Sequence, residues 1–105
     1  MSYKWPSKDK DEILDYTMDW SRYLGDATID SVTWYVADVD GIKTQVVDTT
    51  VVNGLQRVSA TNTNTVATII LGLGTNNVEY KIYCSITDSD GNIAERSVKL
   101  RIKEQ

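Results

Sequence analysis

Carboxylates and their amide relatives are the side chains best placed to do chemistry in this chain. Asp9, Asp11, Glu12, Asp15 and Asp19 crowd one short stretch, and Asp38-Val-Asp-Gly41 is echoed later by Asp88-Ser-Asp-Gly-Asn92. Two carboxyls can run acid–base catalysis only if their surroundings hold them at different pKa values, one of them protonated in a dry pocket. Asp15 and Asp19 instead alternate with Leu14, Tyr16, Met18 and Trp20, which puts them on the wet side of an extended segment. The chain has no histidine, which removes histidine triads and histidine metal sites. Gly72 and Gly74 precede Thr75-Asn76 with no lysine where a phosphate loop needs one. No catalytic residue and no cofactor site is expected.

Calcium is the one ligand this chemistry leaves open. Asp88, Asp90 and Asn92 carry oxygen donors at alternate positions, as a hard cation prefers, although glycine follows Asp90 directly and no helices flank the loop. Aspartate and glycine are also ordinary hairpin punctuation, so a turn is the competing account. The single cysteine, Cys84, can form no intrachain disulfide and sits among Tyr80, Ile82 and Ile86, where a small buried hydrophobe is expected.

These residues must be carried by strands. The 105 residues suffice for one domain with one modest core. A first strand is expected near 13–20, a turn or bridging segment over Ser21–Ala27, and a second strand over Thr28–Ala37 with Val32, Trp34 and Val36 on one face, ended by a turn at Asp38–Gly41. Lys43–Thr50 and Leu55–Ser59 flank Asn53-Gly54, a dipeptide suited to tight hairpins. Ala60–Thr65 reads as a loop or an edge strand, Thr65–Leu71 as a buried strand, and Val78–Thr87 with Ile93–Ile102 as a hairpin turning at Asp88–Asn92. The expected core is Trp20, Trp34, Ile70, Tyr80, Ile82 and Leu100.

The stretch Leu71-Gly-Leu-Gly-Thr-Asn-Asn-Val-Glu-Tyr80 resembles the approach to the penultimate strand of immunoglobulin-like and fibronectin-like sandwiches, where a tyrosine hydroxyl bonds to nearby backbone. Here the tyrosine stands four residues before Cys84 and the immunoglobulin disulfide is absent. The expected fold is all-β, a single sandwich of about seven strands over residues 13–105, with residues 1–12 as a flexible or docking arm.

The formal net charge of −4 is unevenly spread: residues 1–50 carry five basic and ten acidic side chains, and residues 51–105 six basic and five acidic. No basic patch interleaved with aromatics marks a nucleic-acid or anionic-membrane partner. The order of residues at the N-terminus is not that of a signal peptide, and no long apolar run occurs, so synthesis in a cytoplasm is expected. Arg96, Lys99, Arg101 and Lys103 gather on the last strand, either as a solvated edge or as a surface for an acidic neighbour. Tyr3, Trp5, Lys99 and Arg101 are the interface candidates.

Residues 8–34 carry a second resemblance. Lys8-Asp9, Asp15-Tyr16, Asp19-Trp20, Leu24 and Ile29 followed by Trp34 are similar to the opening of short proteins of tailed phages and prophages described as fiber–tail adaptor or tail accessory proteins, with Lys10 where those have proline. Near the other end, the glycine-bearing loop, the tyrosine strand, the turn and Glu95-Arg96-Ser97 fit as well. The resemblance implies a non-enzymatic virion component, made in the bacterial host cytoplasm, that joins tail, neck or fiber proteins, with a homo-oligomeric ring as one mode of assembly. The alternative is a carbohydrate- or host-surface-binding sandwich using Tyr23, Tyr35 and Tyr83.

Overall fold

The computed structural model describes residues 3–37 and 41–103. In chain order the strands are β1 (Tyr3–Lys4), β2 (Leu14–Asp19), β3 (Ile29–Ala37), β4 (Lys43–Val46), β5 (Val51–Val52), β6 (Leu55–Asn62), β7 (Val66–Leu73), β8 (Glu79–Asp88) and β9 (Ile93–Arg101), with one helical turn, α1 (Ser21–Leu24), between β2 and β3. They form two sheets, ordered β1-β9-β8-β3-β4 and β2-β7-β6-β5. All pairings are antiparallel except β1 on β9. Apart from two two-residue strands, this is the expected sandwich of seven strands. The order β9-β8-β3-β4 against β2-β7-β6 is the immunoglobulin-like arrangement of two facing sheets.

Period-two alternation decides what lies between the sheets. Tyr16 and Met18 of β2, Trp34 and Val36 of β3, Ala67, Ile69 and Leu71 of β7, Tyr80, Ile82, Cys84 and Ile86 of β8, and Val98 and Leu100 of β9 are all buried, with Trp20 at the end of β2. The two tryptophans, Tyr80, Ile82, Leu100 and Cys84 thus stand where the patterning expects them. Ile70 does not: it is half-buried on the outer face, while Ile69 enters the core. Thr65-Val-Ala-Thr-Ile-Ile-Leu71 is apolar on both parities, so alternation alone cannot choose between the neighbouring isoleucines.

Tyr80 performs the role its context suggests. Its hydroxyl accepts from the Thr75 N–H at 2.9 Å and donates to the Asn53 carbonyl, tying the β7–β8 loop to the β5–β6 turn. In that turn Asn53 and Gly54 have φ of 47° and 88°, the doubly positive pattern of a tight hairpin, and Val52 pairs with Leu55.

The hairpin expected from Lys43 to Ser59 is corrected in its first arm. Lys43–Val46 pairs with β3 in one sheet, and Val51–Val52 pairs with β6 in the other, so the chain changes sheets at residues 47–50. Thr49, at φ 71°, makes this turn and donates its N–H to the Arg57 carbonyl at 2.7 Å. Ala60–Asn62 continues β6 as an edge, and residues 63–65 form the loop to β7. Of the turn expected at Asp38–Gly41, residues 38–40 lie outside the described residues.

Candidate interaction surface

The N-terminal stretch builds the most distinctive local structure. Tyr3 and Lys4 pair in parallel with Val98 and Lys99, and the Trp5 N–H continues the ladder to the Lys99 carbonyl at 2.9 Å. Pro6 has no N–H and ends that run. Lys8 resumes it: its N–H donates to the Arg101 carbonyl at 3.0 Å and its carbonyl accepts from Lys103 N–H at 2.8 Å. Residues 9–12 then reverse direction, with Asp9 Oδ1 accepting from Asp11 N–H and Glu12 Oε1 from Asp9 N–H. This reversal carries the chain from the first sheet to the second, where β2 begins.

The expected open edge at β9 is therefore covered along Val98–Arg101 by residues 3–8, which satisfies backbone groups that an edge leaves exposed. The stretch expected as an arm over 1–12 runs, across residues 3–8, along the body of the sandwich.

Trp5 crosses from the first sheet to the second. Its ring stacks on Tyr16 with centroids 4.7 Å apart and lies 6.3 Å from Trp34. An open groove of about 300 Å³ results, lined by Trp5, Pro6, Leu14, Asp15, Tyr16 and Thr17. It runs beside β2, which among the described residues has β7 on one side and no strand on the other. Asp15 and Thr17 are exposed. Asp11, Glu12, Asp15 and Asp19 make no ion pair among the described residues. Asp19 is held below the usual carboxylate range by the Ser21 backbone N–H and then the Ser21 hydroxyl.

Lys8, which begins the family resemblance, takes a place that the sequence does not announce. It is fully buried, and its Nζ donates to the carbonyls of Asp9 and Leu73, each at 2.7 Å. Leu73 has φ 59°, unusual for a non-glycine residue. Burial pulls the Lys8 pKa down, opposed by the charges of Glu12, Asp9 and Asp11. A lysine in a charged run carries no sequence signal of burial; only the crossing at residues 9–12 encloses it.

The interface candidates separate. Lys99 and Arg101 are exposed on the outer face of the first sheet, while their carbonyls are taken up by Trp5 and Lys8. Trp5 is half-buried against its own Tyr16 and Trp34. The Tyr3 side chain lies outside the described residues. Of the tyrosines, Tyr23 is exposed beside Trp20, whereas Tyr35 and Tyr83 pair across β3 and β8 with Lys43 Nζ 4.5 and 4.7 Å from their ring centroids. Lys43 also bridges to Glu95 at 2.7 Å.

In the loop considered for calcium, Asp88 is buried and its Oδ1 accepts from the N–H groups of both Asp90 and Asn92 at 2.9 Å. That carboxylate oxygen organises the turn, and Asp90 and Asn92 are exposed. Among the described residues no group of three or more His, Cys, Asp or Glu side chains is placed to hold a metal ion. Cys84 is free and buried, its pKa pushed up to about 12, first by burial.

No curated protein matches the chain. A family model described as podophage GP4 fiber-tail adaptor protein gp77 matches residues 8–101, from buried Lys8 through the last residue of β9, so the span includes β2, the groove it borders and the basic strand, and the chain belongs to that family.

Proposed function

We propose that the protein is a non-enzymatic structural component of the virion, joining tail, neck or fiber proteins through contacts between protein surfaces. The observation that carries this reading is the family match across residues 8–101, which includes both sheets. The chemistry of the surface supports it. Among the described residues the buried carboxylate, that of Asp88, is committed to turn N–H groups, and the buried thiol of Cys84 is held protonated. Neither is poised to turn over a substrate. Exposed acidic and basic strands on different sheets offer instead the complementarity that orients docking partners. Assembly as a ring of copies would multiply such modest contacts.

The test is an electron-microscopy reconstruction of the parent particle together with detection of the chain in purified virions and assembly intermediates. Density for the sandwich between tail and fiber proteins is the expected result. Absence of the chain from both virions and intermediates overturns the reading.

A further inference from the structure

We infer that β2 is a docking edge for an extended, lysine- or arginine-bearing segment of another protein, which adds as a strand beside Leu14–Asp19 and seats an apolar side chain in the groove against Trp5 and Tyr16. This assignment rests on the adaptor reading and names the surface and the partner chemistry that reading requires.

Three features converge on β2. First, it has a single strand neighbour among the described residues, so one side of its six-residue backbone is available for main-chain pairing. Elsewhere the fold covers a long edge: residues 3–8 pair along β9, and they meet β2 through the Trp5 ring on Tyr16 and not as a paired strand. Second, the groove of about 300 Å³ at this edge has an aromatic wall of Trp5 on Tyr16 and a polar wall of Asp15 and Thr17. Affinity from main-chain bonds and selectivity from side-chain pockets are the two parts of strand addition. Third, the charge is one-sided. Asp11, Glu12, Asp15 and Asp19 lie on β2 and its approach without an ion pair among the described residues, so a cationic strand is favoured and an acidic one repelled.

The test uses the full chain and a synthetic peptide that alternates lysine with valine around one central tryptophan, with a control carrying glutamate at every lysine. Backbone amide resonances of residues 14–19 are expected to move on titration with the lysine peptide. Asp15→Lys combined with Thr17→Lys, both exposed positions, should weaken that binding at least about tenfold while the thermal midpoint stays at the parent value. Equal binding of the two peptides overturns the inference, as do shifts confined to other strands, no shift at residues 14–19, and self-association of the chain through those residues. Failure of the two readings is distinguishable. Normal incorporation of the doubly substituted chain into particles overturns the β2 site and leaves the adaptor reading standing. Absence of the parent chain from particles overturns the adaptor reading, whatever the peptide does.

Discussion

At the residue scale, the core residues differ from one another in what their burial demands. Trp34 is fully enclosed between the sheets, so Trp34→Ala should cost about 3–5 kcal/mol in chemical denaturation. Cys84 is buried as a neutral thiol, which makes stability depend on pH with a definite sign. Its pKa is raised from 9.0 to about 12, chiefly by burial. Below pH 9 both folded and unfolded chains keep the proton, and the stabilisation is complete. Above pH 9 the unfolded chain loses it first, so the advantage shrinks by about 1.4 kcal/mol per pH unit until the folded thiol ionises. Tyr16, raised to about 12 by burial and by Glu12, acts in the same sense above pH 10, and Lys8, with a lowered pKa, acts in the opposite sense. Comparing the parent with Cys84→Ala cancels those other groups. The stability difference between the two should fall with pH between 9 and 12, and a constant difference would contradict a buried neutral thiol. Lys8→Met keeps the apolar stem but leaves the Asp9 and Leu73 carbonyls without their donor. It should cost about 1–3 kcal/mol at neutral pH, measured by urea denaturation.

At the element scale, alternation of apolar and polar residues makes most strands legible in the sequence. The patterns of β2, β3, β8 and β9 are single-faced, and each buries the parity expected. The misassignments arise where physics outside the strand decides. β7 is apolar on both faces, so its register comes from packing, and Ile69 rather than Ile70 goes inside. The change of sheet at residues 47–50 is bridged by Arg57, whose Nη1 donates to the Val46 carbonyl at 2.8 Å and whose Nε pairs with Asp48 at 3.1 Å. Nothing in the spacing of Lys43–Thr50 announces that bridge. The groove is illegible for a related reason: Trp5 and Tyr16 meet across two sheets, a juxtaposition that depends on the parallel pairing of β1 with β9. That pairing makes a prediction for hydrogen exchange in the isolated protein. The amides of Trp5 and Lys8, donating to Lys99 and Arg101, should be protected by about 2 kcal/mol or more, a slowing of roughly thirtyfold. Exchange at unprotected rates would show that this stretch leaves the body of the sandwich in solution and acts as an arm.

At the scale of the whole molecule, the fold is a block of 41 × 27 × 24 Å. Asp11, Glu12, Asp15 and Asp19 project from β2 and its approach, and Lys99 and Arg101 project from β9 in the other sheet. Because backbone groups near Lys99 and Arg101 are already bonded within the chain, a partner at this face would meet side chains rather than an open strand edge. Exposed charges of this kind add little to folding and act mainly on the rate and orientation of docking. Replacing both Lys99 and Arg101 by glutamate removes two positive charges and adds two negative ones without touching the core. The isolated variant should keep its denaturation midpoint. Its incorporation into particles should weaken by about 1–2 kcal/mol, a factor of about 5–30, with the deficit shrinking as ionic strength rises because salt screens exposed charges. Quantifying the chain in particles assembled at low and high salt checks both parts. Undiminished incorporation at low salt would remove this face from the interface and leave the β2 edge as the surface that carries docking.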